Sequence, residues 1–110
     1  MAFILVSTFF YTELFVQLSR FEQLRVERFY DQLVESGDHV GKPLSGYSFF
    51  REKKFNGKRL YYLVYSDMHA ILLVGLSDKK KQNDMIQKIK LEFDAHRLFV
   101  VHYLRTNLLI

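Results

Sequence analysis

The sequence contains no cysteine and only one proline. The absence of cysteine excludes disulfide bonds and thiolate chemistry, and it fits an intracellular setting. The sequence also lacks a phosphate-cradling glycine loop, a Gly-x-Ser-x-Gly element and a dinucleotide-binding fingerprint, so we expect no cofactor-dependent enzyme of the common classes and no cofactor. The apolar start of the chain lacks the positive charge of a signal peptide, and no apolar run is long enough to span a membrane. We therefore expect a cytoplasmic protein.

Histidine is scarce as well. The four histidines show no spacing typical of metal ligands, and His96 and His102 are six residues apart, so that they would not share a helical face. The other two are His39 and His69. We therefore expect no metal site.

What is present is ordinary for a folded domain. The chain has 110 residues, of which 49% are hydrophobic and 25% are charged. This length and composition predict a single domain over residues 1–110. The net charge of +4 is compatible with RNA, DNA or an acidic protein as the partner, and it does not choose among them.

The spacing of apolar residues predicts an α+β order of elements. We expect a buried strand at 2–7, helices over about 9–20 and 22–36, a loop at 37–46 and then three consecutive strands. The second helix is predicted to expose Glu22, Arg25, Arg28, Asp31 and Glu35. A further helix starts near Asn83. The apolar tail, residues 98–110, either extends this helix or forms a late strand, and we expect it to be covered by the domain, by another copy or by a partner.

The first two strands of the meander are predicted to form a β-hairpin, because Asn56-Gly57 is a strong turn signal between two strand-forming runs. With this turn, Lys54 faces Arg59 and Glu52 faces Tyr61. Alternation then places these four side chains, together with Tyr65, on one face of the sheet. Two cations, a carboxylate and two phenols make this face a predicted anion-handling surface, whereas the opposite face is mostly apolar.

Four sequence blocks carry a resemblance to a known family. They are Gly41-Lys-Pro-Leu-Ser, Arg51-Glu-Lys-Lys, Lys58-Arg-Leu-Tyr-Tyr and Leu76-Ser-Asp-Lys-Lys-Lys-Gln. In this order and spacing they resemble the RelE/ParE superfamily of toxins from type II toxin–antitoxin modules. The resemblance implies two N-terminal helices packed on a twisted antiparallel sheet in the order β-α-α-β-β-β, followed by a C-terminal helix. It covers a core of about residues 2–93 and leaves an apolar extension at 94–110.

The resemblance also implies a choice of functions. RelE-like members cleave mRNA, typically in the ribosomal A site, whereas ParE-like members inhibit DNA gyrase, and both are neutralised by a cognate antitoxin. Our leading hypothesis is a metal-independent endoribonuclease that acts on mRNA at the ribosome and inhibits translation. The alternatives are a ParE-like gyrase inhibitor and a catalytically degenerate member that only binds a partner. A homodimer or a heterotetramer with the antitoxin is compatible with each of them.

The candidate catalytic residues follow from the resemblance and from the chemistry of RNA cleavage. Arg59 occupies the position of an arginine that binds the scissile phosphate in RelE-like nucleases, and a guanidinium suits this role because it stays charged and can bond two phosphate oxygens. The other interpretation of Arg59 is a pair with Glu52 across the hairpin. Lys54 is predicted to add positive potential or to transfer a proton, and Glu52 to act as a base or only to neutralise its basic neighbours.

RelE-like nucleases commonly carry a tyrosine shortly after a basic stretch, which corresponds here to Lys79-Lys80-Lys81. This chain has Met85 and Ile86 instead. Tyr61, or Tyr65, is predicted to substitute from the sheet, and His102-Tyr103 from the tail. Further cations complete the set of candidates for RNA binding: Lys79, Lys80 and Lys81 at the entry of a helix, and Arg51 and Lys53, which project to the other face of the hairpin and are alternatively contacts at its edge or with the antitoxin.

Overall fold

The protein is described here by a computed structural model that covers residues 2–107. Five strands and four helices follow one another as β1 (Ile4–Ser7), α1 (Phe9–Val16), α2 (Arg20–Ser36), β2 (Lys42–Leu44), β3 (Tyr47–Phe55), β4 (Lys58–Tyr65), β5 (Ala70–Asp78), α3 (Gln82–Leu91) and α4 (Phe93–Asn107), with a single 3₁₀ turn at Ser66–Met68 between β4 and β5. The strands form one sheet in the order β1-β5-β4-β3-β2. The β1–β5 pair is parallel and the other pairs are antiparallel. The predicted α+β fold is confirmed.

The sheet is covered on both faces. One apolar cluster joins α1 and α2 to Leu60, Tyr62 and Val64 of β4, and a second joins α3 and α4 to the alternate residues Tyr61 and Leu63. Every residue of β5 except the last is buried, as expected for a central strand between two layers of helices. The core therefore consists of two layers separated by the sheet.

This second layer corrects one expectation from the sequence. The face that carries Glu52, Arg59, Tyr61 and Tyr65 was predicted to be an open anion-handling surface, but all four side chains are buried. The reason is that Ile86 and Ile89 of α3 and Val100 of α4 pack in the same apolar cluster as Tyr61 and Tyr65. Of the five residues predicted for this face, only Lys54 is exposed.

The predicted hairpin and its register are confirmed. Asn56 and Gly57 have φ values of 45° and 74°, as a two-residue turn of type I′ requires. Lys54 pairs with Arg59, and Glu52 with Tyr61. A bulge after Tyr61 shifts the register of β4 against β5. The turn chemistry thus fixes which side chains meet at the tip of the hairpin.

Helix α2 begins with a capping box. The Ser19 hydroxyl accepts the Glu22 N–H, and the Glu22 carboxylate accepts the Ser19 N–H, so that two otherwise unpaired donors are satisfied. The helix ends at Gly37, as predicted, and buries Val26, Phe29 and Leu33. Glu22 is a correction, because it was predicted to be exposed and instead has a relative exposure of 7%.

Two regions differ from the expected order. The segment predicted as a loop contains the short strand β2, which pairs with the outer edge of β3. The C-terminal helix is interrupted at Glu92, so that α3 and α4 are separate helices. The tail is helical up to Asn107, and residues 108–110 lie outside the described part. No helix within residues 2–107 is long and apolar enough to cross a membrane.

Two glycines near the sheet edge provide a matched test of this packing. Gly41 and Gly46 both have positive φ, so alanine at either position is strained by about 1–2 kcal/mol. A Cβ at Gly41 would lie 2.4 Å from the Glu52 carbonyl oxygen, whereas a Cβ at Gly46 meets nothing within 4 Å. We expect Gly41→Ala to lower the free energy of unfolding by at least about 1 kcal/mol more than Gly46→Ala, as measured by urea denaturation. Equal losses would contradict the packing of this loop on β3.

Candidate functional site

A basic cavity of about 350 Å³ lies at the tip of the β3–β4 hairpin. We call it the hairpin-tip cavity. Five of its eight lining residues are cations and none is a carboxylate, which makes it a candidate site for an anion. The lining consists of Arg25, Lys54, Phe55, Asn56, Gly57, Lys58, Arg59 and Lys79.

The cations of this cavity come from four separate parts of the chain. Lys54 and Arg59 are directly paired across the hairpin. Arg59 in turn pairs with Ser77 of β5, so Lys79, which follows that strand, reaches the same end of the sheet. Arg25 comes from α2, which packs on the sheet beside Phe55. The fold therefore brings three of the predicted site residues, Lys54, Arg59 and Lys79, to one cavity.

Arg59 is held by Glu52. The Nε atom of Arg59 lies 3.5 Å from Oε1 of Glu52, and the two side chains have relative exposures of 10% and 4%. Neither of these two atoms has a hydrogen-bond partner, and 3.5 Å is long for a charge-assisted hydrogen bond. The contact is therefore a buried charge pair with imperfect geometry. This is the second of the two interpretations of Arg59 that the sequence allowed, and its role in phosphate binding stays a prediction.

Lys58 is held by a second buried carboxylate. Its Nζ atom lies 3.1 Å from Oε1 of Glu22, and the Asn56 amide donates to Oε2 of Glu22 at 3.1 Å. The start of α2 is thereby tied to the turn of the hairpin. Burial alone would raise the pKa of Glu22, but the hydrogen bonds from Lys58, Ser19 and Asn56 outweigh it and lower the pKa to about 2.

Three cations of the cavity carry no such partner. Arg25, Lys54 and Lys79 form no ion pair with any residue in the part of the chain that the structure describes. Lys54 and Lys79 are exposed, and Arg25 is partly exposed. These three side chains are therefore available to a phosphate group without the loss of an existing ion pair.

Tyr61 lies in the core, beneath this site. Its side chain is fully buried, and its hydroxyl is 2.9 Å from the hydroxyl of Ser77. Burial raises the pKa of the Tyr61 phenol, and the hydrogen bond with Ser77 opposes this rise. The catalytic role of Tyr61 stays a prediction, and it requires a movement that opens the core.

The remaining predicted RNA-binding residues are not part of the cavity. Arg51 donates to the backbone carbonyl groups of Val40, Gly41 and Ser48, so that it braces the segment around β2. The Nζ atom of Lys53 lies over the ring of Phe29, at 5.4 Å from its centre. Lys80 and Lys81 are exposed beside Lys79 but do not line the cavity.

Sequence reasoning missed two of the lining cations. Arg25 was assigned to an exposed helix face, and Lys58 was named only as part of the block Lys58-Arg-Leu-Tyr-Tyr, without a role at the site. Ser19 and Glu22 have the spacing of a capping box, which indicates where α2 starts. No local pattern indicated that this start lies against the hairpin turn.

A larger cavity, of about 480 Å³, lies at the other end of the hairpin, between β4 and α4. Four of its eight lining residues are apolar or aromatic, namely Phe49, Val64, Tyr65 and Phe93. Its one cation, Arg97, is paired with Asp67, with 2.5 Å between Nη2 and Oδ2. Of the residues predicted for the site, Tyr65, the alternative to Tyr61, lines this cavity and not the hairpin-tip cavity. Within residues 2–107, no group of three or more His, Cys, Asp or Glu side chains is placed to hold a metal ion.

Comparison with solved structures identifies the fold as RelE-like. The free RelE toxin of E. coli, in a mutant form, superposes with a TM-score of 0.67 at 15% sequence identity, covering 81% of this chain and 99% of that one. The intact RelBE toxin–antitoxin complex of E. coli gives a TM-score of 0.64 at 16% identity, covering 70% and 96%. A RelBE complex from Mycobacterium tuberculosis gives 0.63 at 16% identity, covering 72% and 100%. The resemblance found in the sequence is thus confirmed at the level of the fold.

Neither a protein-family model nor a curated protein sequence matches the chain. At 15–16% identity to the solved structures, the likeness concerns the fold, and the chemistry has to be argued from this chain's own residues.

The Glu22 contacts predict how stability depends on pH. The pKa of Glu22 falls from its ordinary value of 4.5 to about 2 on folding, so the charged carboxylate stabilises the folded protein above pH 4.5, and this contribution disappears as the pH falls towards 2. We expect Glu22→Gln to lower the free energy of unfolding by about 1–3 kcal/mol at pH 7, and we expect the difference from the wild type to shrink between pH 4.5 and 2. Urea denaturation at several pH values measures both.

Glu92→Gln is the matched control. Glu92 pairs with Lys88 on the surface, where both side chains are 42% exposed, and such pairs contribute little. If Glu92→Gln lowers the free energy of unfolding as much as Glu22→Gln does, or if the effect of Glu22→Gln does not change with pH, the stabilising role of the buried Glu22 contacts is contradicted.

Proposed function

We propose that this protein is the toxin of a type II toxin–antitoxin module, and that it is a metal-independent endoribonuclease that cleaves mRNA at the ribosome in the cytoplasm and so inhibits translation. The observation that carries the proposal is the convergence of Lys54, Arg59 and Lys79 on one basic cavity of a RelE-like fold. RNA binding and translation inhibition belong to the same proposal.

The cavity supports the electrostatic part of the reaction. RNA cleavage by an internal 2′-hydroxyl passes through a phosphorane that carries extra negative charge, and cations fixed beforehand around that position lower the barrier. Lys54 and Lys79 are free to approach the phosphate, and Arg59 lies directly opposite Lys54. In this proposal the Arg59 guanidinium turns from Glu52 to the phosphate oxygens when RNA binds.

Proton transfer is the second requirement, because the 2′-hydroxyl must lose a proton and the 5′-oxygen must gain one. Lys54 is the exposed candidate for one of these transfers, since it lines the cavity. Glu52 is the candidate for the other once Arg59 leaves it. Tyr61 is an alternative donor if the core opens at Ser77, to which its hydroxyl is bonded.

A cognate antitoxin is part of the proposal. Two of the similar solved structures are RelBE toxin–antitoxin complexes, and another is RelE with a peptide of its antitoxin RelB. The unpaired cations of the hairpin-tip cavity would favour an acidic segment of such a partner. Homodimers or heterotetramers with the antitoxin are compatible with this proposal.

One observation favours a second candidate, a protein that acts by binding alone. Arg59 is already paired with a buried carboxylate, and Met85 and Ile86 of α3 lie in and against the core where RelE-like nucleases commonly carry a tyrosine. A ParE-like inhibitor of DNA gyrase, or a degenerate member that captures a partner, needs none of these catalytic groups.

The test is a translation assay in which the ends of the mRNA are mapped by primer extension. We expect the wild type to cut the mRNA, and we expect Lys54→Ala to reduce cutting by about 10-fold or more, as removal of a group that stabilises the transition state does. Lys54 is exposed and unpaired, so its removal leaves stability unchanged. Lys90→Ala is the control for the loss of a lysine outside the cavity. Lys90 is partly buried, with its Nζ atom 5.9 Å from the centre of the Tyr47 ring, and we expect the variant to cut like the wild type once melting shows that it is folded.

Arg59 needs a paired design. Arg59→Ala alone leaves the Glu52 carboxylate buried without its partner, which destabilises the fold. The double variant Glu52→Gln with Arg59→Gln keeps two neutral polar groups of similar size, and we expect it to fold and to lose cutting. Blocked translation with intact mRNA would overturn the ribonuclease proposal and direct attention to gyrase supercoiling assays. Undiminished translation in the presence of the wild-type protein would favour a degenerate member that only binds a partner.

A further inference from the structure

The first two turns of α2 expose an aromatic ring beside a cation. Phe21 has a relative exposure of 60%, and Arg25 follows it by four residues, which places the two side chains next to each other on the helix surface. Phe21 and Arg25 form what we call the α2 platform. Nothing in the nuclease chemistry described above uses Phe21.

The platform is fixed to the hairpin-tip cavity. Arg25 is part of the lining. Glu22, the residue after Phe21, bonds both Lys58 and Asn56 of the hairpin turn, so that the first turn of α2 is tied to the hairpin that forms the cavity. The exposed Phe21 therefore lies one helical turn before Arg25, the residue of α2 that lines the cavity.

The cavity itself offers no face on which a base can stack. Phe55 is the aromatic residue in its lining, and this side chain is only 3% exposed because it packs against Phe29, with 6.0 Å between the ring centres. Single-stranded nucleic acids are commonly bound by cations that contact the backbone and aromatic rings on which bases stack. The cations are in the cavity, and the accessible ring is on the platform.

We infer that the α2 platform is a second subsite for single-stranded RNA, in which Arg25 bonds a phosphate next to the one in the cavity and a base stacks on Phe21. This inference rests on the proposed function and extends it, because it gives the RNA a direction of exit across α2. The excess of cations favours RNA over an apolar protein segment as the occupant. Arg25 forms no ion pair within the described residues, and it lines the same cavity as Lys54 and Lys79. Arg28 is exposed one turn further along the helix.

The test is the binding of a fluorescent single-stranded RNA of about six nucleotides, followed by anisotropy as a function of salt. We expect Phe21→Ala to weaken binding by about 5- to 160-fold, which is the range for the loss of one base stacked on an aromatic ring. The same variant should bind an abasic chain of equal length like the wild type. We expect Arg25→Gln to lower the slope of log affinity against log salt by about 0.7, the value for one contact with a single-strand phosphate.

Two variants serve as controls. Phe9→Ala removes a ring that is 77% exposed on α1, and Arg105→Gln removes an exposed cation of α4; neither residue lines the cavity, and we expect both variants to bind like the wild type. Thermal melting of each variant verifies that it is folded.

The outcomes separate this inference from the function on which it rests. If Lys54→Ala weakens RNA binding while Phe21→Ala and Arg25→Gln do not, the platform is overturned and the nuclease proposal is untouched. Equal weakening of the abasic chain by Phe21→Ala would show that the ring does not stack on a base. Absence of RNA binding by the wild type would overturn the platform outright, whereas the nuclease proposal is judged separately by the mapped mRNA ends.

Discussion

The burial of both faces of the sheet constrains everything else in this protein. With α1 and α2 on one face and α3 and α4 on the other, a polar side chain in the middle of β4 or β5 has no access to solvent. Chemistry with a large anionic substrate is then restricted to the ends of the strands, where the helices no longer cover the sheet. The hairpin tip is such an end, and it is where cations from α2, β3, β4 and the segment after β5 meet.

Two buried carboxylates adjust the charge of this end. Glu22 and Glu52 each hold one cation of the cavity, Lys58 and Arg59 respectively. Their geometries differ, since Glu22 receives several well-placed hydrogen bonds whereas the Glu52–Arg59 contact leaves its closest atoms without a hydrogen bond. Well-bonded buried charges hold a structure in place, whereas poorly bonded ones are held less firmly. In the proposed function, the first pair supports the site and the second is the contact that an RNA phosphate displaces.

The sequence predicted the local elements better than their surroundings. The register of the hairpin followed from Asn56-Gly57, because a two-residue turn at these positions allows Lys54 to pair only with Arg59. The end of α2 followed from Gly37. What was missed depends on contacts between distant segments. Alternation assigns Tyr61 and Glu52 to one face, but it does not tell whether a later helix covers that face. The sequence around Arg25 is likewise that of a solvated helix face, and its place in the cavity depends on the contact of α2 with a hairpin turn 34 residues after Glu22.

In the proposed nuclease, an RNA phosphate competes with Glu52 for the guanidinium of Arg59. Removal of one partner from a buried ion pair costs about 3–5 kcal/mol when the remaining charge stays unpaired. A phosphate that draws Arg59 away from Glu52 must offset that cost, and it can do so in two ways. It can bond the guanidinium through two oxygens, and it can leave a proton from the 2′-hydroxyl on the freed carboxylate, which removes the unpaired charge. In the proposed mechanism the second way is the base step of RNA cleavage, so the displacement that frees Arg59 for the phosphate would also free Glu52 to act as the base. A ligand without a transferable proton next to its phosphate, such as DNA, gains only the first contribution.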